Sequence, residues 1–155
     1  MEKIMKARRS GFTLVELLIV IMIIAILAGM MMLATGSATD SANATKVIND
    51  LRNLKSASLM FYGDYRRWPS SSAADIHSVD LYMDRSMLGR YAQILIVSKD
   101  GGGSVIGLEL SNDLASNAIK TKIAAGAADA GLLKMSSSTP STYDGSANEV
   151  YMNMN

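Results

Sequence analysis

The stretch from Phe12 to Ala34, FTLVELLIVIMIIAILAGMMMLA, limits what the rest of this chain can be. Only Thr13, Glu16 and Gly29 interrupt its apolar character. As an α-helix rising about 1.5 Å per residue it would reach roughly 34 Å, enough to cross a hydrocarbon core of about 30 Å. It is apolar all round, as a helix packed in a membrane or among other helices must be. Lys3, Lys6, Arg8 and Arg9, against Glu2, stand on its N-terminal side. The positive-inside rule therefore keeps residues 1–11 in the cytoplasm and carries the remainder across the membrane.

Glu16 is the one charged residue between Arg9 and Asp40. An acid at the centre of a membrane helix costs about 2.5–3.5 kcal/mol, and less toward the edge where water reaches it. A secretory signal peptide would explain the basic start and the small residues Thr35, Gly36, Ser37 and Ala38 as a cut site. Its apolar region, however, is usually about 7–15 residues, and this run is longer and opens with an acid. A plain one-span anchor would make Glu16 a charge tolerated near the interface.

A third reading comes from the motif itself. Gly11-Phe12-Thr13-Leu14-Val15-Glu16, behind a short basic leader and ahead of the apolar run, resembles the class III signal of type IV prepilins and the related pseudopilins. The resemblance implies that a membrane-embedded aspartic peptidase recognises Arg8, Arg9, Gly11, Thr13 and Leu14. That enzyme would cut between Gly11 and Phe12 and methylate the freed Phe12 amine. In a filament of packed helices, Glu16 of one copy would then face the Phe12 amine of its neighbour. The physics agrees: the cut places a positive amine in nearly the same layer as Glu16, and an opposite charge within a few ångströms favours the ionised carboxylate. A buried pair is poor evidence of net stability, but losing one partner is costly, and specifying register is its best-attested use.

The implied organisation is a leader (1–11), a membrane and filament-core helix (12–34), and a globular head (35–155) that includes the C-terminal half of the long helix. The implied role is a structural subunit of a type IV pilus, not an enzyme. Its partners would be other copies of itself, the prepilin peptidase, the inner membrane and an assembly platform driven by a cytoplasmic ATPase. The alternatives are a pseudopilin of a type II secretion or DNA-uptake machine, and a binding protein held by a single-span anchor.

Val47, Leu51, Leu54, Ser58, Phe61 and Tyr65 recur at helical spacing, interrupted only by Ser58. One helix should therefore run from about Phe12 to about Tyr65, amphipathic in its second half. Gly29 and Gly36 are its expected points of bending or melting. Many type IVa pilins carry a proline in this helix; here the prolines are Pro69 and Pro140. Pro69 disfavours a helical Trp68 and ends the helix, and the aromatic-rich run from Phe61 to Pro69 resembles the corresponding stretch of many pilins. Residues 73–90 should form a short helix or irregular connector. Tyr91–Ser98 and Ser104–Leu110 read as strands around a turn at Lys99-Asp100-Gly101-Gly102-Gly103. Ser111 or Asn112 should cap a helix through about Ala125. Leu132–Met135 and Glu149–Asn153 are the candidate last strands, with a Ser/Thr-rich loop around Pro140. The fold class is α+β: a long N-terminal helix packed on a small antiparallel sheet.

No constellation rises to a catalytic or cofactor site. The chain's net charge of +1 becomes −2 once residues 1–11 are set aside, which argues against a nucleic-acid-binding domain held by a general basic field. Arg66, Arg67 and Trp68 could make a small stacking and phosphate patch, but a packed tryptophan beside solvated arginines is the simpler reading. His77, the sole histidine, gives no frame for zinc or a triad. The triple glycine lacks the Gly-Lys-Ser/Thr of a phosphate loop. Asp75, Asp80 and Asp84 lack calcium-loop spacing, and the C-terminal loop, which holds calcium in major pseudopilins, offers only Asp144 and Glu149. Neither metal nor cofactor is expected. Met30, Met31 and Met32 read as gap-fillers between packed helices. The absence of cysteine removes disulfide staples and thiolate sites.

Overall fold

The computed structural model describes residues 12–99 and 103–154. Its elements are α1 (Leu14–Tyr65), α2 (Ala73–Leu81), β1 (Gln93–Ser98), β2 (Ser104–Glu109), α3 (Asn117–Ala125), α4 (Ala127–Ala130), β3 (Leu132–Ser136), β4 (Thr139–Thr142) and β5 (Glu149–Asn153). The chain divides into two units, Met1–Ser37 and Ala38–Asn155. In the first, every large apolar side chain from Phe12 to Met32 is exposed. That part of α1 is long and apolar enough to cross a membrane. The helical assignment runs unbroken through Gly29 and Gly36, so the melt expected there is not observed.

In the second unit the stripe on α1 is the core. Ala44, Val47, Leu51, Leu54, Ala57 and Phe61 are buried in one cluster with residues of the sheet. Ser58, the interruption in the stripe, is fully buried because its hydroxyl donates to the Leu54 carbonyl at 2.9 Å. Tyr65 departs from the expectation: it is 54% exposed and stacks on Phe61 at the margin of the core, with ring centroids 4.5 Å apart. Arg66 turns to a φ of 56° immediately afterwards and closes the helix.

The sheet is antiparallel in the order β1-β2-β5-β3-β4. Its register puts Ile94, Leu108 and Val150 in one row, and Ile106, Met152 and Leu132 in another, all on the face buried in the α1 cluster. On the opposite face Gly107 lies beside Tyr151, whose ring covers the glycine.

Two expectations need correction. The helix after β2 begins at Asn117 and not after Ser111 or Asn112: Ser116 is the cap, its hydroxyl accepting from the Ile119 amide at 3.3 Å. Ser111 instead closes a turn that places Leu114 in the core, and starting later lets Ile119 and Ile123 face inward. The segment around Pro140 is not a loop: β4 pairs with β3 across a turn in which Ser137 has a φ of 58°. Pro140 is tolerated because β4 lies at the sheet edge, where a missing N–H breaks no interior ladder. Of the hairpin between β1 and β2, residues 100–102 lie outside the described residues; Lys99 N–H donates to the Gly103 carbonyl at 3.0 Å across its base.

Candidate functional site

The first candidate site is the head of α1. Thr13 N–H and Thr13 Oγ1 both donate to Glu16 Oε2 at 2.8 Å, and Glu16 N–H donates back to Thr13 Oγ1 at 3.2 Å. This is a capping box, in which the first free amides of a helix are satisfied reciprocally by two side chains. The Thr13-x-x-Glu16 spacing signals it in the sequence, and reading Glu16 for its charge alone missed it. Phe12 and Leu14 are 86% and 85% exposed, the highest values among the described large apolar side chains of the run. The carboxylate is thus held at the N-terminal rim of the exposed apolar part of α1, within one turn of Phe12. Arg8, Arg9 and Gly11 lie outside the described residues.

The Arg66-Arg67-Trp68 trio is not assembled into one patch. Arg67 forms a bidentate pair with Asp75, both bonds at 2.7 Å, and its guanidinium lies 5.2 Å from the Phe61 ring centroid. Asp75 also accepts from Ser70 N–H at 2.8 Å and Ser70 Oγ at 2.7 Å, while its own amide donates to the Ser72 cap of α2. The Arg67 guanidinium, with Ser70, holds the Asp75 carboxyl well below the usual carboxylate range. Trp68 is half-buried against Tyr62, with centroids 4.7 Å apart. Arg67 therefore ties the end of α1 to the start of α2, Trp68 folds back on α1 and the core, and Arg66 is left exposed. Asp75 was not foreseen as Arg67's partner, because the pairing depends on how the intervening loop turns.

The acids of the C-terminal loop are engaged internally. Asp144 pairs with Lys134 and accepts from Ser146 N–H at 3.0 Å and Ser146 Oγ at 2.6 Å; these contacts, Lys134 foremost, lower its pKa. Glu149 accepts the Tyr151 hydroxyl at 2.7 Å. Among the described residues, no three His, Cys, Asp or Glu side chains gather as metal ligands. His77 is exposed.

Comparison with known proteins places these features. Residues 6–32 match the prokaryotic N-terminal methylation motif. The chain is 31% identical over 118 residues to a fimbrial protein of Neisseria meningitidis serogroup A, covering 76% of this chain and 65% of that protein. It is 30% identical over 118 residues to the type IV major pilin protein PilE1 of Neisseria gonorrhoeae, covering 51% of it. It is 31% identical over 102 residues to the fimbrial protein EcpC of Eikenella corrodens, covering 63% of it. The chain thus spans less than two thirds of the length of each of these relatives. The solved major type IV pilin PilA1 from Clostridium difficile superposes with a TM-score of 0.54 at 17% identity, covering 76% of this chain and 98% of that one, a likeness of fold.

The fold is that of a type IV pilin: a long N-terminal helix with a five-stranded antiparallel sheet. The chain is type IV pilin-like and carries the N-terminal methylation motif.

Proposed function

We propose that this chain is the subunit of a type IV pilus, made as a membrane-anchored precursor and polymerised through its N-terminal helix. Prepilin peptidase cuts between Gly11 and Phe12 and methylates Phe12; the assembly platform and its ATPase then draw the chain out of the inner membrane into the filament. The observation that carries this reading is the exposed apolar first part of α1, from Phe12 to Met32, headed by Glu16. In water such a surface is untenable, because each buried apolar Å² is worth about 25 cal/mol. A bilayer and a bundle of like helices are the two environments that satisfy it, and a pilus subunit uses them in turn. Glu16 supplies register: its carboxylate turns from its own Thr13 to the Phe12 amine of a neighbour, so that helices lock at one axial offset. The chain acts structurally and not as an enzyme.

Mass spectrometry of the mature N-terminus tests the processing step: the expected first residue is N-methylated Phe12. A chain in cells still carrying residues 1–11 refutes it. Shearing tests the destination. Surface filaments containing the cut chain support a pilus, whereas a cut chain kept in the periplasm with a secretion defect supports the pseudopilin reading.

A further inference from the structure

The two edges of the sheet are not alike. β4, at one edge, is short, carries Pro140 and is otherwise serine and threonine, features that blunt an edge against pairing. β1, at the other edge, reads Gln93-Ile94-Leu95-Ile96-Val97-Ser98, with no proline and no charge. Lys99, the next residue, does not guard it, because its Nζ donates to Asn153 Oδ1 of β5, two strands inward, at 3.0 Å. The ladder shows which groups of β1 are unused. Lys99 N–H donates to the Gly103 carbonyl, and on the far side of β2 Met154 N–H donates to the Ser104 carbonyl. Bonding alternates along an antiparallel pair, so Gln93, Leu95 and Val97 bond to β2, whereas Ile94, Ile96 and Ser98 aim their amides and carbonyls outward. Among the described residues, no other backbone group pairs with them across that edge.

The core is unfinished at the same edge. In the row Ile96-Ile106-Met152-Leu132 the inner three side chains are buried, while Ile96 is only half-buried and packs on the cluster from its margin. Leu95 and Val97, on the opposite face, are likewise half-buried. An added strand would cover all three and satisfy the outward amides, as when an extended segment augments a sheet. The sequence of β1 indicates which segment fits. Laid antiparallel to a second β1 with Ile96 against Ile96, it sets each Ile94 against a Ser98, so that every outward amide meets an outward carbonyl. Leu95 then lies opposite Val97, the apolar row runs on through both copies, and an uncharged strand meets its like without repulsion.

We propose that β1 is the docking edge for a second copy of this chain, two heads joining edge to edge as one continuous antiparallel sheet about a two-fold axis. A two-fold contact uses the same patch on both partners and closes on itself, so it does not propagate a polar filament. It joins heads of separate filaments, or of subunits not yet assembled, and stands whether or not the chain builds a pilus. The test follows amide hydrogen exchange by NMR on the full chain in detergent micelles at rising protein-to-detergent ratio. As chains associate, exchange at Ile94, Ile96 and Ser98 should slow about tenfold, which corresponds to about 1.4 kcal/mol, while Leu95 and Val97, already held by β2, stay unchanged. Ser98→Pro, at an exposed position, removes an outward N–H and spares the ladder to β2, so it should keep the melting temperature and weaken pairing about tenfold. The chain lacks cysteine, so Ile96→Cys supplies a second readout. A hydrogen-bonded pair sets the two Cα atoms about 5.5 Å apart, within disulfide range, and oxidation should cross-link that variant as a pair. Ser141→Cys, on the β4 edge, should not cross-link. Association that leaves the Ile94, Ile96 and Ser98 amides unprotected, or pairing unchanged in Ser98→Pro, overturns the proposal. So does oxidation in whole cells that joins the Ile96→Cys variant to a different protein and not to itself.

Discussion

Replacing Gly107 with alanine tests the packing that holds the head together. Gly107 sits in β2 directly across from Tyr151 of β5, near the middle of the sheet. A Cβ there would collide with the Tyr151 ring, lying 2.8 Å from Cε1, and would also lie 2.7 Å from the Val150 carbonyl oxygen. The ring has little freedom to withdraw, because Tyr151 is 3% exposed and its hydroxyl is bonded to Glu149. The carbonyl cannot move without disturbing the ladder. Overpacking of this kind costs about 1–3 kcal/mol, and the restriction alanine places on the unfolded chain recovers about 0.4–1 kcal/mol. Because one obstacle is backbone, the upper part of the range applies, for a net loss near ~2 kcal/mol. In a domain of this size that lowers the melting temperature by about 8 °C. The assay is thermal unfolding of the full chain in detergent, followed by near-ultraviolet circular dichroism. In a Tyr151→Ala background the ring contacts vanish while the Val150 contact stays, so Gly107→Ala should cost less there, with a coupling of about 0.5–3 kcal/mol. A melting temperature within about 1 °C of the parent chain would show that the glycine is not required by this packing.

Glu16→Ala should still be cut after Gly11 but should fail to assemble, because the Phe12 amine would be left unpartnered among apolar helices; filaments of normal abundance, counted by electron microscopy of sheared material, would remove Glu16's role in register. Gly11→Asp should block cutting, read as retention of residues 1–11 by mass spectrometry, and full processing of that variant would contradict the assigned cut site. Acid stability should depend on Asp75: its folded pKa is depressed, so its contribution is complete above the unfolded value of about 3.9 and drains away as pH falls below it. Asp75→Asn should therefore flatten the dependence of melting temperature on pH between about 2 and 5. An acid limb as steep as that of the parent chain would mean that other carboxylates, such as Asp144, carry it.

The long helix was legible because its information is local. An unbroken apolar run, a repeat of about 3.6 residues from Val47 to Phe61 and a proline after Trp68 each act through neighbours a few positions away. The expectation failed at Tyr65, where the spacing continued but the core had ended. The start of α3 was misplaced because Ser111, Asn112 and Ser116 are all competent caps, and the choice fell to where Leu114 and Ile119 could be buried. β4 was missed because a proline amid serines and threonines carries no strand pattern; only an edge position beside β3 makes it one.

What the amino-acid order determined by itself was the apolar span, the Gly11-to-Glu16 motif, the helix stripe and the strand-forming segments around the triple glycine, since covalent neighbours decide each of these. The insertion of β5 between β2 and β3, the clasp of Arg67 on Asp75 and the ring of Tyr151 over Gly107 were decided only when distant segments met. Closing the chain over such separations is a matter of global packing and loop-closure entropy, which no short window of sequence contains.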